Sequence, residues 1–263
     1  MLRAYAKGLL WFAFVALVLA GRAQAAAIVE SLTGEASAGP SLTRTTPIAK
    51  GQRIDSGNYV VTGAKSLVVL GFDDGQKMVL NENTQFRITS YSFKQDEPKK
   101  DKFSFDLLKG ALRAVTSLFA RRNPNAYALR TPQATIGIRG TDFMVAVVNP
   151  GYVTISNGTV TITTSTGTVS FGAGTTVTVA SSGATPVTIS FADLPPWVQE
   201  VFKQLQSIAL SAGAAGTTAI EEGTGGLGGA AAAAAAIAIG VAIGSGGGDG
   251  GPSGTTGTTG TTP

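Results

Sequence analysis

The stretch from Thr131 to Val145 constrains the fold of this chain more than any other. Apolar residues such as Ile136 and Ile138 place the stretch within a β-sheet. Gly137 and Gly140 interrupt it, and a glycine inside a strand pattern marks a bulge or a close approach of two backbones. We therefore interpret it as a strand–turn–strand unit.

A second strand–turn–strand unit lies earlier in the chain, around Asp74-Gly75. Asp-Gly is a strong signal for a tight hairpin, and the apolar runs Val68–Phe72 and Lys77–Leu80 flank it. The adjacent carboxylates of Asp73 and Asp74 could also suggest a calcium loop. Such a loop needs further oxygen ligands at regular spacing, and Lys77 follows instead of an acid. The pattern favours a hairpin turn.

Taken in order, several short segments resemble the FecR domain, which is named for the periplasmic part of the iron-dicitrate sensor and transmembrane regulator. The resemblance covers residues 48–180 and rests on Val61–Gly63, Phe72–Gly75, Leu107–Gly110, Thr131–Pro132 and Ile138–Thr141. Within these segments and the glycine-interrupted run, the residues that we assign to the structural motif are Asp74, Gly75, Thr131, Pro132, Gly137, Arg139, Gly140 and Thr141.

The resemblance implies an all-β fold, with twisted β-sheets that form a solenoid-like or sandwich FecR-type domain over residues 26–194. It also implies a non-catalytic periplasmic module for signal relay or protein interaction, without a cofactor. The partner would be an envelope protein or a polysaccharide. A structural surface or matrix protein of the envelope is the alternative, since strands and a tail rich in Thr and Gly would suit that role.

The composition argues against several kinds of chemistry. The chain contains no cysteine and no histidine, which excludes thiol nucleophiles, thiolate or imidazole metal sites, and Ser-His or Cys-His pairs. The spacing of the acidic residues singles out no catalytic pair, and no Gly-rich phosphate loop follows a strand and opens a helix. We therefore predict that the chain is not an enzyme and has neither catalytic nor metal-binding residues.

Residues 1–25 have the pattern of a cleavable signal peptide. Arg3 and Lys7 precede the apolar run Gly8–Ala20, and Ala23–Ala25 is a small-x-small cleavage site. An uncleaved anchor is the alternative. We expect export to the periplasm or cell surface of a Gram-negative bacterium, without a cytoplasmic amino-terminal domain that would hold a sigma factor. The formal net charge of +4 includes this segment, so the charge does not indicate a nucleic-acid partner.

The carboxyl-terminal part of the chain contains three kinds of sequence pattern in turn. After Asn149, apolar pairs two residues apart predict short strands, with Asn157-Gly158 and single glycines between them as turns. Residues 195–211 form an amphipathic pattern that predicts one helix, either a cap on the sheet or a partner-binding helix. Residues 212–263 predict a disordered Gly/Ala/Thr tail. Membrane association through 227–244 is not favoured, because Ala and Gly gain little from lipid and no Lys or Arg follows.

Basic residues cluster in the middle of the chain and suggest a docking surface for an acidic partner. The cluster consists of Lys99, Lys100, Lys102, Lys109, Arg113, Arg121, Arg122 and Arg130. Arg121, Arg122 and Arg130 are the candidate docking residues, and an ordinary solvated face is the alternative. Arg139 and Asp142 are interpreted as a structural ion pair or backbone clamp, with a ligand-contacting arginine as the alternative.

Overall fold

The computed structural model describes residues 26–117 and 122–210. The strands of this part are β1 (Ala27–Thr33), β2 (Ala36–Ser41), β3 (Arg44–Pro47), β4 (Arg53–Ile54), β5 (Tyr59–Thr62), β6 (Leu67–Phe72), β7 (Lys77–Leu80), β8 (Gln85–Ser92), β9 (Lys102–Val115), β10 (Tyr127–Arg130), β11 (Thr135–Val147), β12 (Gly151–Thr164), β13 (Gly167–Gly172), β14 (Thr176–Val179) and β15 (Val187–Ile189). One α-helix, α1 (Pro196–Ser207), follows them, and short 3-10 turns occupy Pro98–Lys100, Pro124–Ala126 and Phe191–Asp193.

The strands join into one sheet that branches at β9 and at β12. The first half of β9 pairs with β8 and, in parallel, with β10, whereas its second half, Gly110–Val115, pairs with β7 and β11. One path through the sheet runs β15-β14-β12-β11-β10-β9-β7-β6-β1-β4, while β8, β5, β2 and β3 continue from the other side of β9 and β13 pairs with β12. The prediction of an all-β fold with one carboxyl-terminal helix is confirmed.

The sheet curls so that its two halves enclose the main core. Phe72 of β6 lies with its ring centroid 5.2 Å from Tyr91 of β8 and 5.5 Å from Phe105 of β9. The registers place neither residue beside β6, so these contacts cross the core between facing parts of the sheet. Phe105 also contacts Phe86 and Tyr127, and burial of such rings is the dominant stabilising term in a core.

Helix α1 covers a second, smaller core on the outer face of the sheet. Its buried residues Val198, Phe202 and Leu205 pack with Val69 and Met144, among others, in a cluster separate from the main core. The interpretation of the helix as a cap on the sheet is therefore confirmed. Its cover also explains why the apolar run of β6 is continuous, because this strand is buried on both faces.

One predicted turn lies inside a strand. Asn157-Gly158 does not form a turn, because β12 continues through both residues and only its register with β11 shifts there. The predicted signal peptide, the Gly/Ala/Thr tail, the 227–244 segment and Arg121 lie outside the described residues.

Candidate interaction surface

A row of side chains crosses the exposed face of the sheet, one residue from each of seven neighbouring strands. Consecutive members are direct register partners, and residues beside them in every strand except β13, such as Phe86 and Phe105, are buried. Since side chains alternate between the two faces of a strand, the row lies on the face opposite the core. We call it the cross-strand row, and its members are Tyr59, Arg87, Asp106, Arg130, Thr135, Thr163 and Thr168.

The first part of the row carries its charge. Asp106 lies between two arginines, and its Oδ1 is 3.7 Å from Nη1 of Arg130. Thr89 Oγ1 donates to Asp106 Oδ2 at 2.7 Å, and Arg130 Nη1 donates to Ser104 Oγ at 2.9 Å. The Arg87 guanidinium lies 5.0 Å from the centre of the Tyr59 ring, within the range of a cation–π contact.

One aspartate between two arginines leaves this part of the row with an excess positive charge. The Arg130 side chain is 54% exposed, so its guanidinium retains donors that a partner can use. The side chains project from hydrogen-bonded strands rather than from loops, and their separations are therefore fixed by the sheet. Such fixed guanidinium groups can donate hydrogen bonds to carboxylates or other anionic groups.

The rest of the row is uncharged. Thr135, Thr163 and Thr168 follow one another across β11, β12 and β13, and the hydroxyls of Thr163 and Thr168 are hydrogen-bonded at 2.8 Å. After Asp142 the next charged residue in the chain is Asp193, so β12 to β15 carry no charged side chain, and the members of the row on β12 and β13 present hydroxyl groups. The surface thus has a positive part and a neutral hydroxyl part.

The predicted docking residues do not lie together. Arg130 belongs to the cross-strand row, but Arg122 supports the loop that precedes β9. Arg122 is bound to the buried carboxylate of Asp101 at 3.0 Å, donates to the carbonyls of Lys94 and Gln95, and lies over the Phe93 ring at 5.0 Å. These contacts give Arg122 a structural role. Tyr59 and Arg87, which are distant from Arg130 in sequence, complete the positive part of the surface.

A third basic residue of the predicted cluster, Arg113, ties helix α1 to the sheet. Its Nε and Nη2 donate to the two carboxylate oxygens of Asp142 at 2.9 and 2.7 Å. Its Nη1 donates to the carbonyls of Leu205, Gln206 and Ile208 at the carboxyl-terminal end of the helix. A cation there also opposes the partial negative charge of the helix end.

The interpretation of Arg139 and Asp142 as an ion pair is therefore wrong, because Asp142 is bound to Arg113. Arg139 is exposed, and no ion pair to it occurs within residues 26–117 and 122–210. The two residues are separated by the register shift in β11, and the buried Arg113 reaches Asp142 from the adjacent strand.

The glycines of this motif serve the backbone. Gly140 has a φ of 61°, a conformation that favours glycine, and it lies at the register shift between β11 and β12, which confirms the bulge expected at this glycine. Gly158 on the neighbouring strand approaches so closely that an added Cβ would lie 2.1 Å from the Gly140 carbonyl oxygen. Beside them, Thr141 N–H donates to Thr116 Oγ1 at 2.7 Å. At Gly137, an added Cβ would lie 2.5 Å from Thr161 Oγ1.

The two turn motifs are also structural in this geometry. Thr131 and Pro132 begin the connection between β10 and β11, in which Thr131 N–H donates to the Ala134 carbonyl and Ala134 N–H donates to Thr131 Oγ1. At the β6–β7 hairpin, Gly75 takes a φ of 84°, as the Asp-Gly turn requires.

The Asp74 carboxylate is buried under its own turn, which the hairpin signal did not indicate. Tyr91 Oη and Ser117 Oγ donate to it at 3.1 and 2.8 Å, and Gln76 N–H donates at 3.3 Å. Burial raises the pKa of the Asp74 carboxyl above its ordinary value of 3.8, although these donors oppose the shift. Burial likewise raises the pKa of Tyr91, and the nearby Asp74 charge adds to that shift.

Within residues 26–117 and 122–210, no group of three or more His, Cys, Asp or Glu side chains is placed to hold a metal ion. None of the helices in the same ranges is long and apolar enough to cross a membrane.

Comparison with known protein families supports the resemblance to the FecR domain. Residues 58–170 match the model of the family described as FecR protein, which confirms the resemblance that the motifs indicated. The match includes the hairpin at Asp74-Gly75, the whole cross-strand row, and β13 as far as Ser170.

Two solved structures are similar over part of their length. Both are of a "putative anti-sigma factor" from Parabacteroides distasonis, with 14% and 16% identity and TM-scores of 0.40 and 0.42. Each comparison covers 50% of this chain and 59% of the other, so the similar region spans less than two thirds of those proteins. No curated protein matches the chain.

Proposed function

We propose that this chain is an exported, non-catalytic FecR-domain protein that serves as a signal-relay or protein-interaction module of the cell envelope, in the periplasm or at the cell surface. The FecR domain over residues 58–170 supports the relay role. The signal-peptide pattern of residues 1–25 supports the location.

The observation that carries the interaction role is the positive part of the cross-strand row. Arg87 and Arg130 flank Asp106 on hydrogen-bonded strands, and Tyr59 adds an aromatic surface beside them. Tyr and Arg are enriched where binding energy concentrates in protein interfaces. The partner that fits best is an envelope protein with an acidic surface.

The test is capture from envelope extracts with the wild-type chain and with an Arg87→Gln/Arg130→Gln double variant. Both side chains are at least partly exposed, so the fold should tolerate the change to within about 0.5 kcal/mol per site. Arg44→Gln/Lys50→Gln is the matched control, because it removes the same charge from exposed positions outside the row.

We expect the wild type and the control to retain one discrete envelope protein, and the row variant to lose it. Rising salt should have the same effect, because exposed charges are screened beyond about 8 Å at physiological ionic strength. If the amount of protein captured is unchanged by both the double substitution and rising salt, the row is not the docking surface. If the chain turned over a substrate and substitution of a single Asp or Glu abolished that turnover, the non-catalytic assignment would be wrong.

A structural role in the envelope surface or matrix is the second candidate. The uncharged strands β12 to β15 favour it, since such a surface offers little to select a foreign partner. In the same experiment, retention of polysaccharide in place of a discrete protein would support this candidate.

A further inference from the structure

Strand β13 has an unpaired edge in the described part of the chain. Its partner is β12, and the two strands are joined by a two-residue turn in which Thr164 pairs directly with Gly167. Backbone groups in an antiparallel pair point alternately towards and away from the partner strand. The N–H and C=O groups of Gly167, Val169 and Phe171 point towards β12. The N–H and C=O groups of Thr168, Ser170 and Gly172 therefore point outward.

Among the residues that the structure describes, this edge lacks the features that usually protect a strand from pairing with another chain, namely charged side chains, proline or a covering element. The strand contains no proline, and the nearest charged residues in sequence are Asp142 and Asp193. Thr168, Ser170 and Gly172 are exposed, and an added Cβ at Gly172 would meet no atom within 4 Å.

We propose that the β13 edge pairs with the β13 edge of a second copy of this chain, antiparallel about a two-fold axis at Ser170. In this register Ser170 faces Ser170 of the other copy, and Thr168 faces Gly172. Each of the three residues then satisfies both of its outward backbone groups. The small glycine opposite threonine leaves space for the side chain, and no charges meet across the axis.

A second copy fits this edge better than a foreign segment for two reasons. The edge is complementary to itself under the two-fold, as an isologous contact requires. It also carries no charge that would favour another partner or repel an identical strand.

The positive part of the cross-strand row lies on β5, β8, β9 and β10, whereas the proposed contact lies at the other end of the row, on β13. An acidic partner and a second copy can therefore bind independently, and the inference does not rest on the proposed function. Pairing of one short strand buries less surface area than a stable specific interface, which needs about 1,000 Å². The dimer should therefore be reversible and concentration-dependent.

Because the chain has no cysteine, single cysteine variants report the register without background. Facing residues that share hydrogen bonds have Cα atoms about 5.5 Å apart, within the range of about 4.4–6.8 Å that a disulfide spans. A Ser170→Cys variant should therefore form a disulfide-linked dimer on mild oxidation.

A Thr168→Cys variant should stay monomeric on a non-reducing gel, because its two copies would lie about 13 Å apart along the strands. Thr43→Cys, exposed in the turn between β2 and β3, is the control for random collision. Equal cross-linking of all three variants, or none with Ser170→Cys, would overturn the proposal.

A second measurement needs no cross-link. Sedimentation of the protein purified from its producing cells should show a monomer–dimer equilibrium at high concentration. Ser170→Pro should abolish it, because proline removes an outward N–H without breaking the pairing to β12. Ser170→Ala, which keeps the N–H, should dimerise as the wild type does. A wild type that stays monomeric at millimolar concentration would refute the proposal. So would dimers of unchanged affinity in a Ser170→Pro variant that melts as the wild type does.

Discussion

Replacing Arg113 with alanine should cost about 3–5 kcal/mol of folding free energy, because one guanidinium serves both the sheet and the end of helix α1. Removing one partner of a buried pair leaves the other charge without compensation, which accounts for a loss of this size. The Arg113 and Asp142 side chains are 10% and 21% exposed, so solvent screens the remaining carboxylate in part. The hydrogen bonds to the helix carbonyls share the same guanidinium, and their contributions are not additive to that loss.

Urea unfolding measures this change, and Trp197 reports on the helix directly. The chain has two tryptophans, and removal of the predicted signal peptide, which contains Trp11, leaves Trp197 as the only one. In the exported protein Arg113→Ala should lower the unfolding midpoint and increase quenching of Trp197 by acrylamide. Arg139→Ala is the control and should change the stability by no more than about 0.5 kcal/mol, because Arg139 is exposed. Equal effects of the two substitutions would refute the role assigned to Arg113.

Two further predictions concern the core and its buried acid. Phe105→Ala should lose about 3–5 kcal/mol in urea unfolding, because the ring is fully buried among aromatic neighbours; a variant that melts within a degree or two of wild type would contradict this placement. Asp74→Asn should remove a pH dependence of the folding stability. Because burial raises the folded pKa of Asp74 above 3.8, the protonated carboxyl stabilises the fold fully below pH 3.8, and this stabilisation is lost as pH rises through the folded pKa. The stability of wild type relative to the variant should therefore fall over this range, and a constant or rising difference would show that the carboxylate is not destabilised by burial.

Local signals in the sequence predicted the local features of the fold. The Asp-Gly dipeptide predicted the β6–β7 hairpin, and Gly140 predicted a special backbone conformation, because each depends on the residue's own φ. The apolar stripe after Pro196 predicted helix α1 and its role as a cover, since a helix must bury such a stripe. These inferences required no knowledge of which strands are neighbours.

The candidate surface depends on strand neighbours and could not be predicted in this way. The basic residues of β9 and the segment after it are close in sequence, yet Arg113 lies against helix α1, Arg122 holds a loop and Arg130 joins the row. Tyr59 and Arg87 come together with Arg130 through the registers of β5, β8, β9 and β10. One sequence does not determine those registers, because a strand pattern records which face is buried but not its partner strand.

The hydrogen bonds from Arg113 to the end of helix α1 also determine how far the folding unit extends along the chain. The family match ends at residue 170, but the last carbonyl that Arg113 holds belongs to Ile208, and the apolar outer face of β6 is covered by helix α1. A protease that cut before the helix would uncover Val69 and Met144 and leave a guanidinium without three of its acceptors. A proteolytic cut on the carboxyl-terminal side therefore leaves a stable domain only if the cut lies beyond Ile208.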